Sequence, residues 1–189
     1  MDPKPLLITG FAPFGTESVN PSWEAVKALP EHIGAWSLHK LLLPVEYGRA
    51  AALAAEAANE CGADAILCAG LAAGRTAVTP EAVGINVRDA AIPDNAGRKC
   101  EGEPVEPNGP AAFFSTLPVR KMTEAIHDAG VSAKLSYTAG TYVCNDLLYT
   151  LLHRFSGTPV RVAFVHIPLE KDLALKDSIR ALTAAIEAI

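Results

Sequence analysis

Clustered positive charge is missing from this sequence. Its 16 Lys and Arg residues are outnumbered by 21 Asp and Glu, giving a formal net charge of −5. No basic run or basic amphipathic stretch interrupts that balance, which argues against nucleic-acid partners and against anionic membrane surfaces. Long apolar runs are missing as well. Leu6-Leu7-Ile8, ahead of Thr9-Gly10, is too brief for the core of a signal peptide, and no run approaches the roughly 20 residues of a membrane span. A cytoplasmic protein is therefore expected. The four cysteines, Cys61, Cys68, Cys100 and Cys144, include no C-x-x-C pair, and a chain of this length can bury a core without disulfide staples, so free thiols are expected. His32, His39, His127, His153 and His166 do not fall at zinc-ligand spacings with Cys or acids. No metal or other cofactor is expected. The two glycine-rich phosphate-binding patterns are also absent, which argues against a nucleotide site.

What is present is an alternation of short apolar runs and helical patterns. Pro5-Leu6-Leu7-Ile8-Thr9, Ala65-Ile66-Leu67-Cys68-Ala69 and Val160-Arg161-Val162-Ala163-Phe164-Val165-His166-Ile167 read as buried strands, and the first of them as a central one. Trp36 to Leu43 reads as a half-exposed strand stopped by Pro44, with His39 at the surface. Helices are predicted from Asn20-Pro21, from Tyr47 to Asn59, from Pro118 to Ala129, after Cys144, and from Leu173 to Ile189. Ala133-Lys134-Leu135-Ser136-Tyr137-Thr138 and Val83-Gly84-Ile85-Asn86-Val87-Arg88 alternate and read as further strands, the latter extended weakly through Ile92. No composition shift divides the chain and no repeat appears. The expectation is one α/β domain over residues 1–189, with a mostly parallel twisted sheet and helices on both faces. Residues 93–110 are rich in turn formers, and so long a structureless loop suits a lid or a subunit contact. Cys100 lies within it and is expected to be exposed.

In such a sheet, ligands collect beyond the carboxyl ends of the strands. Cys144 sits where the 133–138 strand gives way to a helix, and unpaired N–H groups at a helix start can favour a thiolate or hold an oxyanion. A lone Cys is more often an inert packing residue, so a base must accompany it. His166, near the end of its strand, is the best candidate; His127 and His153 lie inside helices. Glu81, just past a strand, reads on its own as a solvated loop acid. Thiol, imidazole and carboxylate together are the parts of a cysteine-nucleophile triad. The Gly10-Phe11-Ala12-Pro13-Phe14-Gly15 loop follows the central strand and suits a partly exposed apolar pocket.

These segments carry a resemblance. The Phe11/Phe14 loop with Asn20-Pro21-Ser22, Gly74-Arg75 through Thr79-Pro80-Glu81, Ile92-Pro93-Asp94-Asn95, Asn108-Gly109-Pro110-Ala111-Ala112, Ala139 through Asn145, and His166-Ile167-Pro168 occur in one order over nearly the whole chain. Together they are similar to the pyroglutamyl-peptidase I family. The resemblance implies a cytosolic cysteine peptidase of α/β fold, commonly a homotetramer, that removes an N-terminal pyroglutamyl residue. It further implies Cys144 as nucleophile, His166 as general base and acid, and Glu81 as its orienting partner. Phe11, Phe14, Asn20, Leu71 and Val143 are the implied substrate-binding positions. Many members carry arginine where this chain has Ala91, and Arg88 is the one nearby residue that could substitute. Many also carry glutamine where this chain has Leu71. Two rival readings are a cysteine amidase with broader blocked substrates and a non-catalytic, phosphorylase-like α/β binder.

Overall fold

The computed structural model describes residues 3–15 and 18–189. Its central sheet contains β1 (Lys4–Phe11), β2 (His32–Ile33), β3 (Trp36–Leu43), β4 (Ala65–Leu71), β5 (Thr79–Glu81) and β10 (Arg161–Ile167). They are ordered β2-β3-β1-β4-β10-β5. The four long strands β3, β1, β4 and β10 run parallel, while the short flanking strands β2 and β5 are antiparallel to their neighbours. Four further short strands, β6 (Val83–Ile85), β7 (Arg88–Asp89), β8 (Glu101–Glu103) and β9 (Ala112–Phe114), pair as β6-β9 and β7-β8. Five helices cover the sheet: α1 (Pro21–Ala28), α2 (Arg49–Glu60), α3 (Val119–Asp128), α4 (Val143–Arg154) and α5 (Leu175–Glu187).

Strand alternation sorts the core into two layers. Along β10, Ala163, Val165 and Ile167 face one way with Leu67 and Ala69 of β4, and α1, α3 and α5 close over them. Val162 and Phe164 face the other way with Ile66 and Cys68, beneath α2 and α4. The alanine-rich α2 presents Ala50, Ala51, Ala54, Ala55 and Ala58 inward, and this small-residue face lets the helix lie close to its neighbours. Helix α1 starts as its sequence requires: Asn20 accepts from Ser22 N at 3.1 Å, and Pro21 occupies the first turn.

The structure departs from the sequence reading in four places. The 133–138 stretch is not a regular strand. It runs beside β5 through isolated bridges at Val78–Ala133 and Glu81–Ser136, and it leads into Gly140 at a φ of 77°. The expected Val83–Arg88 strand is broken into β6 and β7, because the backbone of Ile85 and Val87 bonds the side chain of Asn145 between them. The 93–110 stretch is organised: it contains β8, and the Asp94 carboxylate accepts from Ala96 N, Arg98 N and Tyr47 N. Cys100 is fully buried, at 0% exposure, packed in the α2/α4 layer instead of standing in solvent.

Candidate active site

The carboxyl ends of β1, β4 and β10 share one rim, and the start of α4 is set against it. The side chains of Asn145 and Asp146 fix that helix start, Asn145 also accepting from Ile85 N at 2.9 Å. Asn145 donates to Ile85 O at 2.9 Å and to Val87 O at 3.0 Å. Asp146 accepts from Gly48 N at 2.7 Å and from Arg88 Nε at 2.6 Å. Both side chains are fully buried, so they act as internal braces. Arg88 is thereby committed to Asp146 and to the face of Tyr47, and it is not a free cation for the rim.

Cys144 occupies the first turn of α4, whose start carries no side-chain cap. Beneath it lies Gly70 of β4. A Cβ built on Gly70 would stand 2.5 Å from Phe164 Cζ and 3.1 Å from Cys144 Sγ, so a larger residue here would displace the Phe164 ring and crowd the thiol. His166 is the β10 residue paired with Gly70. Its Nδ1 lies 2.7 Å from Glu81 Oε1. Glu81 reaches it from β5, where Phe164 pairs with Glu81 and His166 with Thr79. Glu81 is 0% and His166 4% exposed, so the acid read from sequence as solvated is a buried one. The resting structure has no thiol–imidazole hydrogen bond among the described residues; such contacts often tighten only around substrate.

Arg75 was not assigned a part by sequence reasoning. Its Nη1 donates to Glu81 Oε1 at 2.5 Å and also bonds the Thr79 hydroxyl, while Nη2 donates to Thr138 O at 2.9 Å. One carboxylate oxygen thus accepts from both guanidinium and imidazole, and Oε2 has no partner among the described residues. Because Oε1 is an acceptor, the proton belongs on His166 Nδ1, leaving the Nε2 lone pair free. The only sequence signal for Arg75 was its place in the Gly74–Glu81 block.

Burial lowers the His166 pKa, opposed by its hydrogen bond to Glu81 and the charge of that acid, with Arg75 lowering it further. Burial likewise pushes the Cys144 thiol up to about 12, helped by Glu81 and Cys68; Arg75 and the thiol's own backbone N–H pull the other way. The resting pair is therefore neutral thiol and neutral imidazole.

Beside the sulfur is an apolar cavity of about 30 Å³ lined by Phe11, Phe14, Asn20, Val45, Leu71, Tyr142, Val143 and Cys144. The five positions singled out from the resemblance all border it. Asn20, however, has its oxygen on Ser22 and donates Nδ2 to Ala12 O at 3.1 Å, so its observed bonds hold the aromatic loop and the helix start. Tyr142 was missed: its ring packs on Phe14 and, edge-on, on Tyr47, and its hydroxyl donates to Pro93 O at 2.9 Å. Asn95 donates to Pro13 O at 3.0 Å and, through its backbone, to Val45 O at 2.9 Å. Among the described residues no group of three or more His, Cys, Asp or Glu could hold a metal ion, and no helix is long and apolar enough to cross a membrane.

A thiol at a helix start, above an imidazole–carboxylate pair at the rim of an α/β sheet, is the equipment of a cysteine hydrolase. The profile of the family described as pyroglutamyl peptidase matches residues 4–189, and the chain belongs to that family. It is 44% identical over 196 residues to the pyrrolidone-carboxylate peptidase of Levilactobacillus brevis, covering 97% of this chain and 96% of that one. It is 48% identical over 167 residues to the protein of that name from Escherichia fergusonii, covering 87% and 78%. The crystal structure of Bacillus amyloliquefaciens pyroglutamyl peptidase I superposes with a TM-score of 0.93 at 40% identity, covering 98% of this chain and 96% of that one.

Proposed function

We propose that this chain is a cysteine omega peptidase that hydrolyses an N-terminal pyroglutamyl residue from peptides, with residues 1–189 forming one peptidase domain. Cys144 is the nucleophile, His166 the base and then the acid, and Glu81 the group that holds the ring. The observation that carries this reading is the buried 2.7 Å His166–Glu81 contact at the strand paired with Gly70, over which the Cys144 sulfur lies.

The neutral resting pair sets the order of events. As Cys144 Sγ attacks the pyroglutamyl carbonyl, its proton passes to His166 Nε2, and the imidazolium so formed is stabilised by Glu81. The carbonyl oxygen becomes an oxyanion at the uncapped start of α4, where the Cys144 N–H is the donor; one such donor is worth roughly 10²- to 10³-fold in rate. His166 returns the proton to the leaving amine as the C–N bond breaks, leaving a thioester. Water then gives its proton to His166, attacks the thioester and releases pyroglutamate, and the thiol is restored. The Phe11, Phe14 and Leu71 walls accept an uncharged lactam ring, whereas a free α-ammonium would lose its hydration there. That contrast supports selectivity for a blocked N-terminus.

The protein works in the cytoplasm as a homotetramer, as the family resemblance implies; sedimentation of the purified protein tests the assembly. The activity is tested with pyroglutamyl-aminomethylcoumarin. Purified protein should release the fluorophore, Cys144→Ala should not, and alanyl and glutamyl analogues should remain intact. Folded protein that leaves the pyroglutamyl substrate uncut would refute the assignment.

A further inference from the structure

On the far side of His166 from the aromatic pocket lies a second, larger depression of about 500 Å³, between residues 74–79 and residues 134–137. Its inner wall belongs to the site already described. Arg75 touches Glu81, and Thr79 is paired with His166. Strand order then lays the features out along one rim: the apolar pocket over β1 and β4, the thiol over Gly70 of β4, His166 on β10, Thr79 on β5, and the depression outside β5.

The depression is basic in a chain that is acidic overall. Lys134 is exposed; its backbone N–H donates to Val78 O at 2.9 Å, while its ammonium makes no ion pair or hydrogen bond among the described residues. Tyr137, 62% exposed, is held through its hydroxyl by Arg120 Nη2 at 3.3 Å. Among the lining residues there is no carboxylate.

Resting on the peptidase reading above, we propose that this depression is the subsite for the leaving peptide and that it favours an acidic side chain or a free C-terminal carboxylate. The acyl part occupies the apolar pocket, and the amine that His166 protonates must lie on the His166 side, facing the depression. Strands are spaced about 4.8 Å apart, so the 133–136 segment, two spacings beyond β10, is about 10 Å from His166. An extended peptide covers that distance in about three residues. Lys134 therefore reads the second or third residue after the scissile bond.

The test compares kcat/KM for two amidated peptides, pyroglutamyl-Ala-Ala-Glu and pyroglutamyl-Ala-Ala-Lys, with pyroglutamyl-aminomethylcoumarin as the reference. The wild-type protein should prefer the Glu peptide by about 2- to 5-fold, the range of an exposed charge pair, and the preference should shrink with added salt. Lys134→Glu should reverse it and Lys134→Ala should erase it, with circular dichroism confirming the fold. Equal rates on the two peptides, or an undiminished preference in Lys134→Glu, would overturn the subsite while leaving the peptidase assignment standing. Failure to cleave the coumarin reference would instead remove the peptidase reading itself, and the subsite with it.

Discussion

The two faces of the sheet are made from the same strands and do different work. Under α1, α3 and α5, consecutive inward positions are Leu6, Ile8, Leu67, Ala69, Val165 and Ile167, with no ionisable group among them. Under α2 and α4, the intervening positions of those strands include Cys68, Gly70, Phe164 and His166, joined by Glu81, Asn145 and Asp146. One face is stabilised mainly by apolar burial, with the hydroxyls of Ser22 on α1 and Ser178 on α5 as buried polar groups. The other spends some of that stability on buried polar groups, each needing a partner of fixed geometry. A fold can carry chemistry in its interior when the unreactive layer holds the sheet and the reactive layer is braced locally.

Substitutions can break that division. Gly70→Ala should have the largest effect, because the new methyl meets both Phe164 and the thiol. Displacing the sulfur by about 1 Å should cost roughly 100-fold in kcat, and overpacking about 1–3 kcal/mol in stability; steady-state kinetics and denaturant titration read the two. On the opposite face, Leu182→Ala should cost about 2–5 kcal/mol of stability and leave kcat within about twofold at a temperature where the variant is folded. If that substitution silenced the enzyme without unfolding it, the separation of the layers would be wrong.

Arg75→Lys should be milder. A single ammonium cannot serve Glu81, Thr79 and Thr138 together, so kcat should fall about tenfold with KM changed less, and the acid limb of the kcat profile should move. A comparable loss of binding with an unmoved pH profile would demote Arg75 to a structural part.

The smallest effect is on stability against pH. His166 has a folded pKa below its ordinary 6.5, so its contribution is present above about pH 6.5 and is lost as pH falls toward the folded value. The thiol is raised from 9.0 to about 12, so stability should also decline as pH rises between those values. Melting temperature against pH should show both limbs, with His166→Gln reducing the acid one and Cys144→Ala removing only its share of the alkaline one, to which the buried Cys68 and Tyr47 and the half-buried Tyr142, also raised by burial, contribute.

Much of this arrangement was legible in the sequence. Continuous apolar runs ending in Gly10 and Gly70, and the Asn20-Pro21 helix start, reported local preferences that the tertiary structure did not override. Cys144 and His166 could be placed because a helix start and a strand end are local features. The burial of Glu81 could not be read, since it depends on β5 joining β10 across more than 80 residues of chain. Arg75 and Asn145 were opaque for the same reason: their partners are remote side chains and carbonyls. Cys100 and the 93–110 stretch misled because turn-forming residues were read as structureless, whereas Asp94 uses its carboxylate to organise the backbone around it. Residues 133–138 alternate like a strand yet make only isolated bridges beside β5, which itself is three residues long.

The Tyr142 hydroxyl clasped by Pro93 has a mechanical consequence. Together with the two Asn95 bonds, it fastens residues 93–95 to two walls of the aromatic cavity, Tyr142 and Val45, and to the Pro13 backbone between Phe11 and Phe14. A molecule that wedges those walls apart must drag this strap with it, and one that fills the cavity without widening it will tighten the buckle. Amide hydrogen exchange at Asn95 therefore serves as a remote gauge of what occupies the cavity.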